Sequence, residues 1–299
     1  MDHSPATPLR FGLVGAGPWA TNVHAPGIVA HPDTELVAVW ARRPDAARAL
    51  ADAHGAAVAD DVAALIADVD AVAFAVPPGV EADIAVRAAA AGRHLVLEKP
   101  IGGSVAEAER LADAVGSAGV ASLVLLTFRY APEVVEWVTT ARTAGGWAAG
   151  AGTWFGDALL SGPYSHSPWR HERGGLVDVG PHTIDLLEAA LGPITDVLAA
   201  THGDHDVWHA LFAHESGARS TASLSLALPL EPNVVDITLY GQAGRLPLRR
   251  TSSTADCYAT MLTELVSMIN TGRAEHPLDV RRGLRLQRLI EQVERLALG

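Results

Sequence analysis

"LRFGLVGAGPWA", residues 9–20, runs from an apolar stretch into a glycine turn, and its reading decides how the rest of the chain is understood. The apolar run predicts a strand buried on both faces. Gly15, Gly17 and Ala20 then stand in the G-x-G-x-x-G/A spacing where that strand turns into a helix. In such a turn the first glycine permits the tight bend and the second lets a pyrophosphate approach the backbone. The third position allows close packing of helix on sheet, with the helix N-terminus facing the phosphates. A chain with 28 glycines meets this spacing by chance, so context has to support it. Outward from the turn, "ELVAVW", "DAVAFAV", "HLVLE" and "SLVLLTF" read as further buried strands. Between them "EADIAVRAAAAG" and "SVAEAERLADAVGSAG" read as helices that end in glycine. This alternation predicts a doubly wound parallel sheet, a Rossmann dinucleotide-binding domain over residues 1–128.

Beyond residue 128 the pattern changes. A helix near 131–142 leads to "WAAGAGTWF", an irregular stretch rich in Pro, Trp, Arg and His, and a helix beginning near "DVGPHTIDLLEAALG". Four runs of period two follow, "ITDVLAA", "VWHALFAH", "TASLSLALPL" and "VVDITLYG", as expected of half-exposed antiparallel strands. Helices near 255–271 and 280–298 close the chain. Residues 129–299 are therefore expected to form an α+β domain on an open, mostly antiparallel sheet, with the last helix available to pack back on the first domain. One face of that sheet has few helices to cover it, which predicts a homodimer or homotetramer formed through it.

Composition excludes several functions. A formal charge of −12 disfavours nucleic acid and anionic membrane as partners and suits a small uncharged or cationic substrate. The lone Cys257 makes neither an internal disulfide nor a cysteine-based zinc site. No apolar run reaches the ~20 residues of a membrane span. "MDHSPATPLR" lacks the apolar segment of a secretion signal, so the cytoplasm is the expected location.

After the second strand, where an acid would hold the ribose 2′-hydroxyl of NAD, "VWARRP" has Ala41 followed by Arg42 and Arg43. A guanidinium grips a 2′-phosphate that a carboxylate would repel, which points to NADP, with NAD still possible. The two arginines read also as a solvated turn in an arginine-rich chain. Of the 22 basic residues, Lys99 in "HLVLEKPIGG" is the only lysine. It closes a strand whose carboxyl end faces the ligand crevice, and a cis bond to Pro100 would turn the amine toward that crevice. A compact amine whose pKa falls on desolvation suits chemistry at a carbonyl or alkoxide oxygen; arginine does not. A leftover surface lysine is the plainer reading.

Asp178 and His182 in "GGLVDVGPHTIDLL" are four residues apart and share a face if the segment is helical. The carboxylate would orient the ring and keep it basic enough to take a hydroxyl proton. Asp185 is a possible third member or a surface carboxylate. Such pairs are mostly structural, and no third ligand stands out for a metal.

Together these segments, with "HAP" at residues 24–26, "EKP" at 98–100 and "FRYAP" at 128–132, resemble the Gfo/Idh/MocA oxidoreductases over nearly the whole chain. The resemblance implies hydride exchange between NAD(P) and a carbon of a sugar or cyclitol, with Lys99, Asp178 and His182 as the catalytic set. The family's "TPNxxH" is here "VPPGVE", with Pro78 and Glu81 in place of Asn and His. Candidate cofactor contacts are Gly15, Gly17, Pro18, Trp19, Ala20, Ala41, Arg42, Arg43, Pro77, Glu98 and Lys99. Candidate substrate contacts are Lys99, Arg129, Asp178 and His182, joined by Trp154, Tyr164, Trp169 and Arg170 from "WFGDALLSGPYSHSPWRHERGG", a stretch that also contains His171 and reads equally as a lid or interface. The expected activity is an NADP-preferring interconversion of a secondary alcohol and a ketone on a polyol or sugar-like substrate. Two other classes stay open: a glycoside-cleaving enzyme using bound NAD for transient oxidation, and a non-catalytic NADP-binding regulator.

Overall fold

The computed structural model describes residues 7–299, so residues 1–6 of the N-terminal segment read above lie outside the described residues. The chain divides into two compact units, residues 7–127 with 253–284, and residues 128–252 with 285–299.

The first unit contains β1 (Leu9–Val14), α1 (Ala25–Ala30), β2 (Thr34–Trp40), α2 (Pro44–His54), β3 (Ala57–Val58), α3 (Val62–Ala67), β4 (Ala71–Phe74), α4 (Pro78–Ala90), β5 (His94–Leu97), α5 (Val105–Ala118) and β6 (Ser122–Val124). Its sheet is parallel throughout, in the order β3-β2-β1-β4-β5-β6. The apolar runs form its interior: Phe11, Leu13, Val14, every residue of β4 and Leu95 to Leu97 are fully buried. The helices begin and end where the sequence signals it. Asp61 and Ser104 cap α3 and α5 through their side chains, while Gly55 and Gly119 end α2 and α5 in the left-handed region. The strand order reverses between β1 and β4, which places a ligand crevice beyond their carboxyl ends. β3 is a strand of two residues that periodicity does not detect.

The second unit contains α6 (Pro132–Ala144), β7 (Trp147–Phe155), α7 (Pro168–Asp178), α8 (Gly180–Leu191), β8 (Ile194–Gly203), β9 (Val207–His214), β10 (Arg219–Ser225), β11 (Val234–Gly241) and β12 (Gly244–Pro247). Its sheet runs β12-β11-β7-β10-β9-β8, and only the β7–β10 pair is parallel. Trp154 therefore lies on a strand rather than in the irregular stretch. All of α8 is buried, because Gly150 and Gly152 on β7 leave room for it: a Cβ at Gly152 would stand 2.5 Å from Thr183, and one at Gly150 2.8 Å from Leu191. Two ion pairs neutralise the acids this buries, Arg129 with Asp185 at 3.1 Å and Arg285 with Glu188 at 2.8 Å. Two helices close the chain: α9 (Thr254–Asn270) belongs to the first unit, and α10 (Val280–Leu298) begins in the first and continues in the second. No helix among the described residues is long and apolar enough to cross a membrane.

Candidate active site

In the first unit the candidate residues gather at one edge of the parallel sheet. Gly15 to Ala20 follow β1, Ala41 to Arg43 follow β2, Pro77 follows β4, and Glu98 with Lys99 follow β5, on four strands adjacent in the sheet. Gly15 has φ 119°, its N–H donates to the Trp40 carbonyl at 2.8 Å, and a Cβ there would stand 2.4 Å from the Ala75 carbonyl oxygen. Only glycine fits that bend. A Cβ at Gly17, by contrast, would meet nothing within 4 Å, so the backbone there faces open space where a phosphate has access. Arg42 and Arg43 are exposed immediately after β2. The glycine turn thus fits the pyrophosphate of a dinucleotide.

Behind this edge lies a buried polar cluster that sequence reasoning missed. The Glu98 carboxylate accepts the Trp19 indole N–H at 2.5 Å and stands 3.1 Å from His24 Nε2. His24 Nδ1 meets the Tyr258 hydroxyl, carried by α9, at 2.9 Å. The Glu98 backbone N–H donates to Glu81 Oε1 at 2.9 Å, and the Lys99 N–H to Glu98 Oε2 at 3.3 Å. Glu81 is fully buried, and loss of hydration, followed by the nearby Glu98 charge, holds its carboxyl well above the usual range. Glu81, standing where the family pattern has histidine, is therefore an acid whose protonated form is favoured by burial, bonded to the backbone just before Lys99. Burial, and after it the Glu98 charge, pushes the Tyr258 phenol well up. The Lys99–Pro100 bond is cis. Glu81 stands out in the sequence only as a departure from the family pattern, and nothing there points to Tyr258.

In the second unit His182 enters from the first turn of α8. Its ring stacks on Trp154 at 5.7 Å and lies 6.1 Å from Phe128, which itself tilts against Trp154 at 5.3 Å. Asp178 and His182 are on two successive helices, yet the helical path runs on through Val179. Its N–H donates to Gly175 and its carbonyl accepts from Thr183. Asp178 accepts from Arg170 Nε at 2.9 Å, and that guanidinium lies over the rings of Tyr164 at 4.7 Å and Trp169 at 4.4 Å. The loop aromatics are thus organised around Arg170, and His171 bonds the Ser165 carbonyl outside that group. Arg129 Nη1 contacts both Asp185 oxygens, so Asp185 is a buried ion-pair partner rather than a surface carboxylate. The path to His182 starts at Gly174 and Gly175, where Asp206 accepts the Gly175 N–H at 2.6 Å and the Trp208 indole N–H at 2.8 Å. His205 and Asp206 both have positive φ, 58° and 55°. Among the described residues no group of three or more His, Cys, Asp or Glu is placed to hold a metal.

Comparison with known proteins identifies the family of both parts of the chain. Residues 9–125 match the model described as "Oxidoreductase family, NAD-binding Rossmann fold", and residues 138–246 match "GFO/IDH/MocA C-terminal domain". The chain belongs to the Gfo/Idh/MocA oxidoreductases. Among relatives of this family, it is 30% identical over 192 residues to dTDP-3,4-didehydro-2,6-dideoxy-alpha-D-glucose 3-reductase of Streptomyces violaceoruber, covering 62% of this chain and 55% of that one. It is 43% identical over 94 residues to inositol 2-dehydrogenase of Rhizobium meliloti (strain 1021), covering 31% and 28%. These matches span about a quarter to half of the relatives' length. The crystal structure of GenD2 from gentamicin A biosynthesis, in complex with NAD, has the same Gfo/Idh/MocA fold. Its TM-score is 0.87 at 23% identity, covering 98% of this chain and 95% of that one.

Proposed function

We propose that this Gfo/Idh/MocA protein is an NADP-preferring oxidoreductase that interconverts a secondary alcohol and a ketone on a sugar, cyclitol or sugar derivative. The observation that carries it is the buried imidazole of His182 clustered with Trp154 and Phe128, a base beside aromatic rings of the kind that pack on the C–H face of a sugar. The curated relatives act on an inositol and on a dideoxy keto sugar by name, which supports that substrate class.

In this reading Gly15, Gly17, Pro18, Trp19 and Ala20 hold the pyrophosphate, and Arg42 and Arg43 hold the 2′-phosphate. When bound, the nicotinamide supplies or takes up the hydride. His182 exchanges the hydroxyl proton, Asp178 orients its ring, and Lys99 stabilises the developing alkoxide. Asp178 is itself fixed by Arg170, whose guanidinium lies over Tyr164 and Trp169. Self-association uses the exposed face of the second sheet, where Val234 and Tyr240 are uncovered.

Turnover of a panel of sugars, cyclitols and keto sugars, followed by nicotinamide absorbance with each cofactor, tests the activity. Calorimetry tests the cofactor. NADP(H) is expected to bind at least ten-fold tighter than NAD(H), about 1.4 kcal/mol. Ala41→Asp combined with Arg42→Ala should reverse the order. Equal affinities in the unmodified protein would overturn the NADP assignment, and no turnover across the panel the enzymatic one.

A further inference from the structure

Glu98 is bonded to the residue on each side of the proposed chemistry. Its Oε1 takes the indole N–H of Trp19, which lies inside the glycine turn, and its Oε2 takes the backbone N–H of Lys99. The direction of every bond around it can be assigned. An indole N–H only donates. Tyr258, fully buried and with its phenol pushed well up, keeps its proton, and beside a neutral imidazole protonated on Nε2 its hydroxyl donates to His24 Nδ1. His24 then carries its hydrogen on Nε2 and donates to Glu98 Oε1. Donors therefore converge on Glu98, which is the arrangement an anion requires. Glu81, whose Oε1 accepts the Glu98 backbone N–H and whose Oε2 is buried without a hydrogen-bond partner among the described residues, carries the proton instead.

We propose that Glu98 is a positioning residue that transmits occupancy of the glycine turn to Lys99. Anything that settles on the backbone at Gly17 moves Trp19, Trp19 is held by Glu98 Oε1, and the opposite oxygen of the same carboxylate holds the Lys99 backbone. Glu81, neutral beneath it, keeps a second negative charge away from that anion. The inference rests on the dinucleotide reading of the turn.

The single lysine makes the test specific. Reductive methylation with 13C-formaldehyde labels Lys99 and the α-amine alone, and Lys99→Arg identifies which signal is which. The probe is 2′-phospho-ADP-ribose, which has the pyrophosphate for the turn and no nicotinamide to touch Lys99 directly. Its addition should move the Lys99 signal in the parent protein. The movement should vanish in Trp19→Phe and in Glu98→Gln and persist in Glu81→Gln, each read at a probe concentration that calorimetry shows to saturate that variant. In uniformly folded but unmethylated protein labelled with 15N-tryptophan, the Trp19 indole cross-peak should move as well. A bound probe that leaves the Lys99 signal or the Trp19 peak unmoved in the parent overturns the proposal, and so does an equal Lys99 shift in Trp19→Phe. A probe that does not bind at all brings down the dinucleotide reading, and the calorimetry distinguishes that outcome from the others.

Discussion

Replacing the amine of Lys99 with a guanidinium keeps the charge and changes its shape and acidity, so Lys99→Arg separates the two requirements. Turnover should fall about a hundred-fold while the fold and NADP binding persist. A kcat within about three-fold of the parent, a barrier change under roughly 0.7 kcal/mol, would show that the residue carries no special chemistry. Glu81 gives a second residue-level outcome. Its carboxyl titrates near 4.5 when unfolded and well above that when folded, so folding takes up a proton at pH values between the two. The stability it contributes is complete below the unfolded value and is lost as pH rises toward the folded one. Glutamine keeps the acceptor for the Glu98 N–H and has no proton to lose. The melting temperature of Glu81→Gln relative to the parent should therefore climb as pH rises above the unfolded value of 4.5, and a difference that stays flat above it would refute the assignment. Gly15, Gly17 and Lys99 were legible because each belongs to a pattern a few residues long. The partners of Glu98 were not, because His24 and Tyr258 are 234 residues apart and only the fold joins them.

Among the elements, the helical path to His182 depends on a contact from outside it. Gly174 has φ 65°, and a Cβ there would stand 2.0 Å from Asp206 Oδ1. Asp206 sits in the left-handed region beside His205, a conformation that costs on the order of 1–2 kcal/mol per residue and persists because the carboxylate satisfies the Gly175 N–H at the start of the path. Asp206→Ala should cost about 1–3 kcal/mol in denaturant unfolding, and Asp206→Asn, which keeps an acceptor, clearly less. Equal losses would mean that the bond does not hold the helix. The long elements of this chain were readable from period and caps. Where the reading stopped short, a physical reason is visible: β3 is too short to have a period, and Trp154 ends a strand whose small residues, Gly150 and Gly152, resemble a loop until α8 is seen packed on them. The break at Val179 is invisible in sequence because its backbone departs only slightly from helical values, φ −109° and ψ −15°.

For the molecule as a whole, the path of the chain matters more than its composition. The first unit is completed by residues 253–284, and the bonds that attach them are specific. The Val124 N–H donates to the Leu278 carbonyl at 2.8 Å, the Val280 N–H to the Ser122 hydroxyl at 3.2 Å, and His31 meets Thr263 at 3.0 Å. Residues 1–127 expressed alone should therefore lack cooperative unfolding. The same stretch joined through a short linker to residues 253–284 should regain it, and a sharp melt for the shorter fragment would refute this. Because the polypeptide passes between units at 127/128, 252/253 and 284/285, neither unit is a contiguous stretch of coding sequence. A single genetic crossover cannot exchange one unit for a homologue's. A lineage carrying this fold can thus vary its loops and pocket walls residue by residue, but a complete first unit cannot arrive in a single exchange.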